Sequence, residues 1–584
     1  MVNIISVILS AVMFLIAQLP GAAGVVDAVS VALTGAPYYS LETDASFLNS
    51  GEAPSIDELS GGVGLLDDVL LCFLKQNTSL TQRYRAFQSV RGVCIGTFAP
   101  AGLFVLRAEF NGYDEMRALC ARLSENEHVI FASGSFAFEY APDATPDDPY
   151  NKESVNPFYR FNESSPFGST WWAEAVFARD AWGYAPLFND ITLGIVDSGF
   201  ELNHPELVGK ISFPNALLEH QNRKSSHGTH VAGLIAAKAN NGQGISGVCP
   251  GADLCCVDWE PEEDQYWIED LRIIFGVGYT VSWGARVVNL SLGSSGSIDK
   301  GRYAYPKIYM DTEALLVSAY LGILLSRGYD FVVVQAAGNG DSEGNPVDCF
   351  NNGSFCCITK ENAFAGIPGV LKADILNRII IAGSASNLGS GTYRQSYFSN
   401  GGDGVSICAP GSGIYSCDLQ EYGSYSYKSG TSMAAPIATG VAGLVWSVNP
   451  QLSGAQVKAI ICARENTCYE VPPAPHPYWS NVRFNSLGMI NAKLAVEAAV
   501  KTLYATGEIN GTAVDANGNP LPCEIEAVTG GKCFVFSADT GGSSRFILPV
   551  GTAELTLRYP DGSTANRTVD VAVGGIYALG KVSA

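Results

Sequence analysis

The chain has 584 residues, of which 47% are hydrophobic and 16% charged. At roughly 100–200 residues per domain, that length holds about three to five domains with full cores, and the composition excludes wholesale disorder. Lys and Arg total 35 against 57 Asp and Glu, a net charge of −22, which argues against nucleic acid or an anionic membrane surface as partner.

The first element is an apolar run from Ile4 to Ala17, closed by the small residues Pro20-Gly21-Ala22-Ala23-Gly24. Its length suits the core of a signal peptide better than a bilayer span. Residues 1–24 are therefore expected to be a signal peptide that sends the chain out of the cell. No Lys or Arg precedes Lys75, so the positive end is supplied by the α-amino group alone; a retained anchor and a periplasmic destination stay open. No later segment reads as long and apolar enough to span a membrane. Of the 15 cysteines, 12 follow residue 145, with close pairs Cys408/Cys417, Cys462/Cys468 and Cys523/Cys533. In an exported chain these read as disulfides. No C-x-x-C pair accompanies them, so zinc is not expected.

Residues 67–140 read as a small α/β module. Strands are expected at Asp68–Leu74, Gly102–Phe110 and Val129–Tyr140, and Met116, Leu119, Cys120 and Leu123 recur at helical spacing between them. Three prolines and three aspartates in 141–149 make a linker. From 150 to 503 short apolar strands (Ile191–Val196, Arg286–Leu290, Phe331–Gln335, Ile379–Ala382) alternate with helical segments such as His227–Ala237. That order predicts an α/β domain with a mostly parallel sheet and helices on both faces. Residues 505–584 carry short alternating strands with turns at Asn517-Gly518 and Asp561-Gly562, the pattern of a small all-β sandwich.

Three segments carry chemistry. An apolar strand ends in Asp197-Ser198-Gly199; a helix opens on His227-Gly228-Thr229-His230; and Ser432 sits in Gly430-Thr431-Ser432-Met433-Ala434-Ala435-Pro436. Each alone is weak. Together they supply a hydroxyl, an imidazole to take its proton and a carboxylate to fix the imidazole tautomer, in the chain order Asp, His, Ser.

On these motifs the chain resembles the subtilisin-like serine proteases over about residues 150–503. The resemblance implies an endopeptidase in which Asp197, His227 and Ser432 form the triad and His230 stands outside it. It implies that Asn339, in Gln335-Ala336-Ala337-Gly338-Asn339, donates to the oxyanion beside the Ser432 N–H, and that Ser291-Leu292-Gly293 pairs with the substrate backbone. Protein or peptide substrates follow. No cofactor is implied for the chemistry. Structural calcium, a habit of the family, is placed by the resemblance near Glu206 and Asn240-Asn241, where a plain turn fits as well, and no metal ligand set is defined. Residues 67–140 resemble the family's inhibitory pro-domain, acting as an intramolecular partner released by cleavage between about Tyr140 and Asp148; Asp147-Asp148-Pro149-Tyr150 resembles the start of many mature members. Residues 505–584 resemble carboxypeptidase-regulatory-like sandwiches. The span from His227 to Ser432 is long for the family, and its extra residues, about 294–325 and 341–375, are expected as surface loops. The acidic run Glu260–Asp264 reads as a solvated loop or a lure for basic side chains. The competing reading is a binding or adhesion protein that reuses the fold; an intact Asp, His, Ser and Asn339 set favours the enzyme.

Overall fold

The computed structural model describes residues 56–58, 64–142, 170–213, 223–259, 269–294, 307–340, 345–473 and 486–583, less a few single positions. The expected signal peptide at 1–24, the segment 147–150 expected to begin the mature chain and the acidic run at 260–264 lie outside these residues.

The centre is a sheet whose order by residue range is 467–471, 487–490, 407–410, 379–389, 332–336, 287–290, 192–197, 253–258 and 211–212. Its middle strands are parallel, with Val288 opposite both Gly194 and Val333. Successive side chains leave opposite faces of a strand, and the sequence exploits this with valine and isoleucine on both. Val287, Val332 and Ile380 pack with the helices Ser226–Ala236, Thr431–Val448 and Ala492–Leu503. Val288, Val333, Ile379 and Ile381 pack with Glu269–Ser282 and Lys307–Ser326. A parallel sheet buried on both faces is the expected consequence of helical crossovers. Asp197 closes one strand, Ser291 follows another directly, and Asn339 lies three residues past a third. All three gather at the carboxyl edge, where open α/β sheets bind ligands.

The N-terminal module folds as strand Gly64–Leu74, helix Leu80–Ser89, strands Val93–Phe98 and Leu103–Arg107, helix Gly112–Ser124 and strand Val129–Ala137, a split βαβ arrangement. Its sheet is antiparallel throughout. Met116, Cys120 and Leu123 are buried on one helix face as the spacing predicts; helix Leu80–Ser89 opens on a capping box of Ser79 and Gln82. The module shares one core with helices 269–282 and 307–326. Phe98 lies 5.5 Å from Phe275, 5.2 Å from Tyr279 and 6.0 Å from Tyr320, and Arg327 donates to Ala99 O at 2.8 Å.

The residues from 505 on form sheets of three and four strands. Ile509, Phe546, Leu548, Phe534 and Leu555 fill the space between them, continuous with the core around the central sheet. The junction is polar as well as apolar. Tyr184 donates to Glu497 Oε1 at 3.0 Å and accepts from Ile547 N at 3.1 Å, and its ring meets Phe536 at 5.1 Å. Burial holds the Glu497 carboxyl above its ordinary range.

Three expectations are corrected. The segments 294–325 and 341–375 are not simply surface loops: Lys307–Ser326 is a core helix, and Cys349, Phe355, Cys356 and Cys357 are buried. Two helices, 307–326 and 431–448, are long and apolar enough to cross a membrane, but they are 72% and 100% buried over that stretch, so their apolarity serves the core. None of the fifteen cysteines is in a disulfide. Cys523 O accepts from Ala538 N at one end of a hairpin while Cys533 pairs with Val528 further along; five residues of strand is about 17 Å, against the roughly 4.4–6.8 Å between the Cα atoms of a disulfide. Cys408 belongs to a small separate cluster, whereas Cys417 packs in the main core. Cys468 Sγ is turned to Ala175 O at 3.5 Å and not to Cys462. Burial pushes Cys408 up to about 12, and such thiols act as small hydrophobes.

Candidate active site

Asp197 ends its strand 2% exposed, and the turn after it aims its carboxylate at the neighbouring helix. Oδ1 accepts from Ser198 N at 2.8 Å and lies 2.7 Å from His227 Nδ1. This contact requires close approach: a Cβ on Gly228 would stand 2.2 Å from Gly199 O. Gly199 itself has φ +89°, a conformation costly to side chains. Ser225 caps the helix, accepting from His227 N at 3.2 Å and bonding Ser198 Oγ at 2.8 Å. Turn and helix are thereby laced together, and the imidazole is presented with Nε2 away from the carboxylate.

Ser432 is the second residue of the helix Thr431–Val448, which packs on the His227 helix. Lys428, just upstream, donates to Ser226 Oγ at 2.7 Å, tying the approach to Ser432 to the first residue of that helix. Ser432 Oγ donates to Ser291 O at 3.2 Å. Proline at 436 has no N–H, so the Ser432 carbonyl loses its helical donor. Ser291 Oγ replaces it at 2.8 Å and itself accepts from Asn289 Nδ2 at 2.9 Å. Asn289 Oδ1 in turn accepts from Thr439 Oγ1 at 3.0 Å. The sequence reading assigned Ser291 to substrate pairing but missed this hydroxyl; the signal was the proline four residues after Ser432.

Asn339 Oδ1 accepts from Thr431 N at 2.8 Å and Thr431 Oγ1 at 3.0 Å. These bonds fix the amide, so Nδ2 lies beside Gly430, 3.2 Å from where a Cβ would stand, buried and without an acceptor. A buried donor left open costs about 1–3 kcal/mol, and a donor at the N-terminal turn of a helix is suited to an anion. Leu292 and Gly293 lie on the strand Leu292–Ser294. It pairs antiparallel with Tyr140–Pro142, Gly293 opposite Ala141.

His230 is elsewhere. It is fully buried, with Nε2 3.0 Å from Ile414 O, and burial, aided by Lys428 and His227 against the pull of Asp418, pushes it down to about 3. Its folded value lies below the ordinary value of about 6.5, so its contribution to stability is whole above pH 6.5 and is lost as pH falls towards 3, at up to about 1.4 kcal/mol per unit. His230→Gln, which keeps a donor for Ile414 O, is expected to flatten the acid limb of a plot of Tm against pH; an unchanged limb refutes this.

Glu206 does not fit calcium. Its carboxylate accepts from Asn241 Nδ2 at 2.7 Å, Tyr425 OH at 3.0 Å and Ile245 N at 3.2 Å. These are donors that satisfy a carboxylate, not oxygens turned toward a cation. Asn240 lies outside the described residues, among which no group of His, Cys, Asp or Glu side chains is arranged to hold a metal.

With this geometry in place, the comparison with known families can be added: residues 189–473 match the model of the subtilase family. That stretch is similar to the subtilases. Subtilases are serine endopeptidases. The chain is 27% identical over 424 residues to fervidolysin of Fervidobacterium pennivorans, covering 67% of this chain and 53% of that one. It is 29% identical over 322 residues to thermitase of Thermoactinomyces vulgaris, covering 54% of this chain and 92% of that one. The match to fervidolysin thus spans about half of that relative's length. The crystal structure of fervidolysin, described as a keratinolytic enzyme related to subtilisin, superposes with a TM-score of 0.51 at 19% identity, over 91% of this chain and 82% of that one. At that identity the likeness concerns the fold, and the subtilase α/β fold with its extra β regions is what the two share.

Proposed function

We propose that this chain is an exported serine endopeptidase made as a self-processed zymogen. The observation that carries the reading is the 2.7 Å contact between Asp197 and His227 on a helix packed against the one that bears Ser432, with the open Asn339 donor beside it. In the mechanism, Ser432 Oγ attacks the peptide carbonyl and passes its proton to His227 Nε2 while Asp197 stabilises the imidazolium. Asn339 Nδ2 and the Ser432 N–H hold the oxyanion. His227 returns the proton to the leaving amine, and a water it deprotonates then releases the acyl group from Ser432.

The pairing of Tyr140–Pro142 with Leu292–Ser294 supports the inhibitory role of the N-terminal module. An extended segment adds a strand to an exposed edge, as a peptide substrate does. Pro142 stands opposite Leu292, next in sequence to Ser291, whose carbonyl accepts from Ser432 Oγ. This register supports a processing bond after Pro142 and before Pro149. The test is the intact mass and N-terminal sequence of wild type and Ser432→Ala produced alike. Wild type is expected to begin between residues 143 and 149, with the module released as a fragment, while the variant keeps the module attached. Identical products from both would remove self-processing from the reading.

A further inference from the structure

The two segments that flank Ser432 are separate walls of one slot. Ser291 is bonded to Ser432, and Gly338 N donates to Thr431 Oγ1 at 3.0 Å. Beyond these anchors each wall is stripped to backbone at a glycine, Gly293 on one side and Gly338 on the other. A substrate residue whose carbonyl faces Ser432 and Asn339 has its side chain beside this slot. The slot already holds a side chain. A Cβ on Gly293 would lie 2.0 Å from Asn352 Oδ1, and one on Gly338 would lie 2.6 Å from the same atom and 2.4 Å from Asn400 Nδ2. Asn352 is 3% exposed and arrives from a short helical turn, Cys349–Asn352, whose partner turn Ser354–Cys357 is held by Gln335 and Glu313. Its Nδ2 donates to Ala336 O at 2.9 Å and reaches Leu292 O at 3.5 Å, bridging the two walls from within. Those bonds set the amide orientation. Oδ1 is left toward the glycines.

We propose that Asn352 is a specificity-determining residue: its amide closes the slot, so that the endopeptidase cuts after residues with short side chains such as Ala and Ser and rejects aromatic and long aliphatic ones. This deepens the peptidase reading and rests on it. The residues after the paired segment, Asp143-Ala144-Thr145, are all short, as self-processing through such a slot requires. The side chain that fills the slot bridges both walls, and interiors are close-packed, so a bulky substrate residue has to displace a bonded amide rather than enter free space.

The experiment is a set of tetrapeptide p-nitroanilides identical except for Ala, Leu or Phe before the scissile bond, assayed with wild type, Asn352→Gly and Asn352→Ser. Changes of one or a few methylenes in such pockets shift kcat/KM by about 10–200-fold. Wild type is expected to favour Ala over Phe by at least about 30-fold. Asn352→Gly is expected to raise kcat/KM for Phe about tenfold or more while Ala moves less than about threefold. Asn352→Ser keeps a hydroxyl for Ala336 O and serves where the glycine variant does not fold. Equal use of Phe and Ala by wild type, or a Phe/Ala ratio unmoved in a folded variant, overturns the assignment. Labelling of Ser432 by a fluorophosphonate separates the two levels: labelling with the wrong ratio sinks only the slot assignment, whereas neither labelling nor hydrolysis sinks the peptidase reading and the inference with it.

Discussion

Replacing His227 with alanine is expected to lower kcat by about six orders of magnitude, and adding Ser432→Ala to lower it no further. The reason is in the contacts. The imidazole is held at Nδ1 by Asp197 at 2.7 Å and its ring is 14% exposed, so one nitrogen is committed to orientation and the other is left for the proton of the nucleophile. Without the ring, the Ser432 hydroxyl has a carbonyl acceptor, Ser291 O, which cannot take a proton away. A serine that is never deprotonated and a base with nothing to deprotonate fail in the same step, hence the non-additivity. Single-turnover rates on a peptide anilide, with each variant and the double variant, measure it. A double variant that is slower than either single by the product of their effects contradicts the coupled roles assigned to the two residues.

The second large effect concerns charge rather than proton transfer. Asn339→Leu is expected to lower kcat by about 10²–10³, with KM little altered, because the donor acts on an oxyanion that exists only beyond the ground state. Leucine also abandons Thr431, which gives two hydrogen bonds to Asn339 Oδ1. Asn339→Asp is the sharper variant: it keeps an acceptor for Thr431 and puts a second oxygen where Nδ2 stood. Aspartate is expected to be at least as damaging as leucine while melting closer to wild type. A loss expressed mainly in KM, or an aspartate variant as active as wild type, removes Asn339 from this role.

The reactive side chains were legible because they are local. Asp197, His227 and Ser432 each sit at the junction of an apolar strand or helix with a Gly-rich turn, and short-range pattern suffices to find such junctions. The C-terminal strands were legible for the same reason: alternation marks them, and Gly518 and Gly562 both take the left-handed conformation their turns require. Helix 307–326 was hidden by its own burial. It carries apolar residues on every side, so the polar stripe that betrays a surface helix is absent. The cysteines misled because a buried thiol and half of a disulfide look alike in sequence, and only the strand register separates Cys523 from Cys533. Asn352 was invisible because nothing in Asn351-Asn352-Gly353 indicates that a side chain reaches back between strands 60 residues upstream. Ser291 and Pro436 are linked only once Ser432 O is seen to lack its usual partner. What stayed unread was long-range complementarity, which periodicity does not encode.

The junction at Tyr184 bears on how such a protein is divided by evolution or by an engineer. Appended lobes are commonly traded between enzymes as cassettes, which works when each lobe closes its own interior. Here the phenol of Tyr184, on the peptidase side, is bonded to Ile547 on the other and ringed by Phe534 and Phe536. Lys532 Nζ reaches back to Pro186 O at 2.6 Å. Cutting after Leu503 would leave a greasy scar instead of a clean surface. The two parts therefore inherit one another's fate: heat should melt them together, and a transplant of the last eighty residues would have to carry its socket along.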